Sequence, residues 1–129
     1  MNRFIGIALV VFLAALNSGC ATLADAQSAK GTGSVKVYDQ PYDVVWNAVV
    51  ETVNASSLDI VTVNKNEGSI LAQGAISAFS WGENVAIFVE SVEGKVQTRV
   101  EVVNKRAVPV NVTASDWEAG IFESLDKRL

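Results

Sequence analysis

Catalysis needs a nucleophile, a base or a metal-binding set, and this 129-residue chain is poor in all three. It has no histidine and one cysteine, Cys20. Serine–histidine and cysteine–histidine chemistry and the usual zinc sites are thereby excluded. Gly31-Thr32-Gly33 has no strand before it and no helix after it, so it does not read as a phosphate loop. Glu90 and Glu101 are placed to meet across a hairpin. Two carboxylates on a wet face, however, read as solvated charge rather than as an acid and a nucleophile. The expectation is a protein that is not an enzyme, with no cofactor and no metal.

One loop stands out as a binding element. Ile76-Ser77-Ala78-Phe79-Ser80-Trp81-Gly82 sets Phe79 and Trp81 among small residues. Rigid aromatics on a loop serve as anchors for a partner. The plainer reading folds both rings back over the edge of the core.

Charge narrows the partners. All fourteen Asp and Glu follow Cys20, but only nine of the ten Lys and Arg do, leaving that part near −5. No concentrated positive surface results, so nucleic acid is not expected as a partner, and there is no polybasic patch for anionic lipid headgroups.

The N-terminus explains the lone cysteine. Arg3 precedes Phe4–Leu16, a run without a charged side chain, and Asn17-Ser18-Gly19-Cys20 follows. Those thirteen residues rise about 20 Å as a helix, short of a hydrocarbon core of about 30 Å. The segment therefore reads as an export signal over residues 1–19 rather than a stable span. Leu16-Asn17-Ser18-Gly19-Cys20-Ala21 resembles a lipobox, whose cysteine is diacylated before cleavage, although here Leu lies four residues before Cys20 and not three. Ala24-Asp25-Ala26 is a rival site that would release a soluble chain beginning at Gln27. Acylation at Cys20 implies a membrane partner, since each buried methylene contributes about 0.8 kcal/mol. By resemblance to enterobacterial lipoproteins, Ala21 after the cysteine implies the periplasmic face of the outer membrane rather than the inner.

The rest is one domain's worth of chain. Residues 20–34, small and polar after Cys20, read as a flexible tether, and the folded domain is expected over 35–129. Val35–Tyr38 alternates as a strand. Tyr42, Val45, Trp46, Val49, Val50 and Val53 form one helical stripe, with Pro41 tolerated in the first turn and Asp43 at the positive dipole end. Strands are expected at Leu58–Val63, Ser69–Gly74, Asn84–Val92 (turning at Glu93-Gly94) and Val96–Val102, the last with Gln97, Arg99 and Glu101 on a wet face. Val108–Val112 is a further edge-strand candidate, limited by Pro109. Ser115-x-x-Glu118 fits a capping box for a final helix carrying Trp117, Ile121 and Leu125. The expected fold is α+β, an antiparallel sheet of four to five strands with two helices on one face, in the order β-α-β-β-β-β-α.

A strand ending in Tyr38, then Pro41-Tyr42-x-x-x-Trp46-x-Ala48, then Gly68 opening a strand, resembles a family of small bacterial periplasmic lipoproteins of unknown function. It is similar, more distantly, to the helix-grip domains of outer-membrane assembly lipoprotein C. The resemblance spans about Val35–Leu129 and implies a fold, without functional residues to transfer. Two readings follow. The first is a non-catalytic envelope lipoprotein, a structural or interaction module whose partner is another envelope protein. The alternative is a periplasmic carrier or sensor of a small apolar ligand or lipid, held between the Tyr42/Trp46 helix face and the sheet.

Overall fold

The computed structural model describes residues 22–75, 82–106 and 116–129. Among the described residues five strands form one antiparallel sheet: β1 (Ser34–Tyr38), β2 (Leu58–Asn64), β3 (Ser69–Gly74), β4 (Glu83–Ser91) and β5 (Thr98–Arg106). Three helices accompany them there, α1 (Leu23–Ser28), α2 (Tyr42–Ala55) and α3 (Trp117–Arg128). The fold is α+β, as its patterning implies.

The spatial order is β1-β5-β4-β3-β2. Strands consecutive along the chain from β2 to β5 pair as neighbours, whereas β1 and β2 lie at opposite edges. Helix α2 joins those edges and so crosses one face of the sheet. Its stripe explains why it stays there: Val45, Val49 and Val53 are fully buried and Trp46 nearly so. They meet Ile70, Ala72, Val85, Ile87, Val89, Val100 and Val102 from the sheet, with Ile121 and Leu125 of α3 completing the cluster. Valine is a mediocre helix former; burial of the stripe outweighs that preference.

The second face is where the sequence reading needs correction. Phe88, Ala86, Leu71 and Val103 form a smaller cluster there, closed by Ala26 of α1. Strand β4 is consequently buried on both sides. Strand β5 does not begin at Val96, which is 73% exposed in the preceding loop, but at Thr98. The β4–β5 link is longer than a two-residue turn: Val92 N–H donates to the Gln97 carbonyl at 3.0 Å, enclosing residues 93–96. Glu101, expected on a wet face, is fully buried. The N-cap of α3 is Asp116, whose side chain accepts from the Ala119 N–H at 3.1 Å, and not Ser115. Ser115 and the strand candidate Val108–Val112 lie outside the described residues.

Two glycines are dictated by close approach. Gly68 has φ +66°, and a Cβ there would collide with the Val89 carbonyl oxygen; its own carbonyl accepts from Val89 N–H at 2.8 Å. A Cβ on Gly33 would collide with the Val102 carbonyl. Gly120, inside α3, faces open space. Alanine at Gly33 or Gly68 should therefore destabilise by about 2 kcal/mol or more through overpacking. Alanine at Gly120 should stabilise by roughly 0.5–1 kcal/mol through helix propensity. Urea denaturation of the three variants checks both signs.

Candidate functional site: the N-terminal clasp

The residues singled out from the sequence, Cys20, Phe79 and Trp81, lie outside the described residues. What the structure does show is the segment that begins two residues after Cys20. The tether expected over residues 20–34 is, from Thr22 onward, folded against the sheet. The domain thus starts earlier than Val35.

Helix α1 has six residues, too few to persist alone. Its first turn is closed by a reciprocal cap: Thr22 Oγ1 accepts from the Asp25 N–H at 3.4 Å, and Asp25 Oδ2 accepts from the Thr22 N–H at 2.6 Å. The bonds from Thr22, the backbone N–H first, hold the Asp25 carboxyl below its usual range. Ala26 is fully buried, and Leu23 and Ala29 pack partly against the same cluster. Spacings of three put these side chains on one helix face.

Beyond α1 the chain is gripped by one carboxylate. Glu101 Oε1 accepts from the Gly31 N–H at 2.6 Å and from the Gly33 N–H at 3.1 Å. Its Oε2 receives Arg99 Nη1 at 3.4 Å. Gly31 adopts φ +94°, a conformation suited to glycine. Lys30 pairs with Glu90 and lies 5.3 Å from the centre of the Phe88 ring. A buried carboxylate is tolerated only when its lone pairs are satisfied, and here amides and a guanidinium supply that.

Glu90 and Glu101, considered above as a carboxylate pair, are not directly opposite. Glu90 pairs with Arg99 and Phe88 with Glu101. Arg99 Nη1 lies 3.8 Å from Glu90 Oε2 and 3.4 Å from Glu101 Oε2, so one cation serves both. Glu101 offers no accessible face to a substrate. Among the described residues no group of three or more Asp, Glu, His or Cys is arranged to hold a metal. The space proposed for a ligand between α2 and the sheet is filled by Val45, Trp46 and Val49.

Opposite the clasp, α3 is tied to β1. Asp126 accepts from Lys36 Nζ at 2.6 Å through both oxygens and from the Tyr38 hydroxyl at 3.0 Å. The lysine bonds, then the tyrosine bond, lower the Asp126 pKa. Glu118 reaches the Ser34 hydroxyl and accepts from Asn104 N–H at 3.3 Å.

No protein-family model matches the chain, and the curated proteins contain no significant match to it.

Two outcomes are expected. Glu101→Ala leaves the Gly31 and Gly33 amides without their acceptor, while Arg99 keeps Glu90, and should cost about 1–3 kcal/mol; Glu101→Gln, which still offers an acceptor, should cost less, both measured by denaturant unfolding. The second concerns pH. Because the folded Asp126 pKa is depressed, its contribution is present above the unfolded value of about 3.9 and is lost as pH falls through the folded value. The stability gap between the parent and Asp126→Asn should therefore be full near neutral pH and narrow as pH falls below the unfolded value of about 3.9. Melting temperatures across that range decide it.

Proposed function

We propose that this chain is a membrane-anchored envelope lipoprotein without catalytic activity, serving as a structural or interaction module. Export follows from Arg3, the apolar run Phe4–Leu16 and the small residues before Cys20. Acylated Cys20 is the anchor, and Ala21, by the same resemblance to enterobacterial lipoproteins, favours the outer membrane facing the periplasm over the inner. Among the described residues no helix is long and apolar enough to cross a membrane.

The observation that carries this reading is the position of α1. The rival cleavage site, after Ala26, falls inside Leu23–Ser28. A chain starting at Gln27 would lose Thr22, Leu23 and Ala26, and with them the cap and the closure of the second hydrophobic cluster. A chain starting at Cys20 keeps the whole unit.

The consequence is a short leash. Only Ala21 separates the acylated residue from the capped helix, so the lipid attaches close to a defined point on the sheet's second face. The domain then sits near the bilayer with that face constrained, and Phe79 and Trp81 are the residues proposed to engage another envelope protein.

Intact-mass measurement of membrane-extracted protein tests the anchor. The expected species begins at Cys20 and carries two or three acyl chains. Cys20→Ser should release the domain from washed membranes; equal retention of that variant, or a mature start at Gln27, would contradict the proposal.

A further inference from the structure

The sheet has two unlike ends. Leu58, Gly74, Glu83 and Arg106 lie at one, where Leu58 pairs with Gly74 and Glu83 with Arg106. The links 39–41, 65–68 and 92–97 lie at the other. Helix α1 starts toward the first end. Ala26 packs in the cluster that holds Ala86 and Val103, a cross-strand pair, whereas Gly31 and Gly33 reach Glu101, opposite Phe88 and further along. The Thr22 bonds lower the Asp25 pKa most, and the charge of Lys105, next to last in β5, adds to them. From α1 the chain continues away from that end along β1, from Ser34 opposite Val102 to Tyr38 opposite Thr98.

Charge divides the same two ends. The sequence between β3 and β4, residues 75–82, and the sequence following β5, residues 107–115, contain no charged residue, nor do Ser56 and Ser57 between α2 and β2. Of the charged residues closing the strands there, Glu83 is buried, and Lys105 and Arg106 balance Asp59 and Asp116. The links at the other end carry Asp39, Lys65, Glu67, Glu93 and Lys95. A charge pressed against hydrocarbon is costly, so the end fit to rest on a bilayer is the one whose links lack charge.

We infer that the domain stands end-on at the lipid surface, with the Leu58, Gly74 and Glu83 end of the sheet toward the bilayer and the Asn66 and Lys95 end away from it. This rests on acylation at Cys20 as proposed above. Two residues separate Cys20 from Thr22 along the chain and reach about 7 Å at most. The nine-residue strands β4 and β5 each run about 30 Å. The acyl chains therefore enter the bilayer much closer to one end than to the other. The other pose the leash allows lays the second face on the lipid, bringing down Val35 and Val37, each 46% exposed. That pose also brings down Lys30, Glu90 and Arg99, which the end-on pose keeps in water.

The acylated full chain in phosphatidylcholine vesicles bearing a nitroxide on the lipid headgroup tests the orientation. Acylation consumes Cys20, so a single introduced cysteine takes a fluorophore. Ser57→Cys and Asn66→Cys are exposed positions flanking β2 at its two ends, and Val35→Cys reports the second face. Quenching at position 57 should be several-fold stronger than at position 66, and stronger than at position 35. Vesicle-bound protein quenched equally at 57 and 66, or most strongly at 66 or 35, overturns the orientation and leaves the anchor standing. A chain that does not float with the vesicles overturns the anchor reading, and the orientation with it.

Discussion

The structure depends most on one buried carboxylate. Glu101 occupies the middle of β5 with no solvent exposure, and its two oxygens are divided between the chain's N-terminal segment and Arg99. A carboxyl group buried in that position is tolerated only while its oxygens keep their donors. The same bonds set the path by which residues 30–33 enter β1. They bring Gly33 so near the Val102 carbonyl that a Cβ would not fit. The charge and the glycines are a single device: neither is intelligible without the other.

That device divides the molecule into two unequal cores. The larger, under α2 and α3, follows from valine and isoleucine burial. The smaller, under α1, contains Ala26, Leu71, Ala86, Phe88 and Val103 and needs the clasp to keep a six-residue helix in place. Strand β4 is common to both, which is why its side chains are apolar on both faces, as in Val85-Ala86-Ile87-Phe88-Val89.

Much of the larger core was legible in the sequence. The Tyr42–Val53 stripe has helical spacing, and Ser69–Gly74 is bounded by Gly68 and Gly74. The second face was not legible, for physical reasons. Alternation along β5 distinguishes its two sides but cannot say whether Glu101 is wet or clasped. The stretch Val96–Val102 alternates without interruption, although the loop conformation at Gly94 carries on past Val96. Helix α1 is short and built from small side chains, so its composition resembles a linker. Its available signals were Thr22-x-x-Asp25, a carboxylate three residues after a threonine, and the spacing of Leu23, Ala26 and Ala29. The α3 cap moved by one residue because Asp116 and Ser115 are both good acceptors at a helix start.

These features give the anchor proposal its mechanical content. Acyl chains hold a protein at a membrane, but what they orient depends on the chain between lipid and domain. A loose tether would let the body tumble; a docked one confines it. Amide hydrogen exchange on the membrane-extracted, vesicle-bound protein tests this most directly. If the clasp is formed, the amides of Ala26, Gly31 and Gly33 should exchange far more slowly than open chain, and together as one unit. Exchange of all three at open-chain rates while β4 and β5 stay protected would contradict the account.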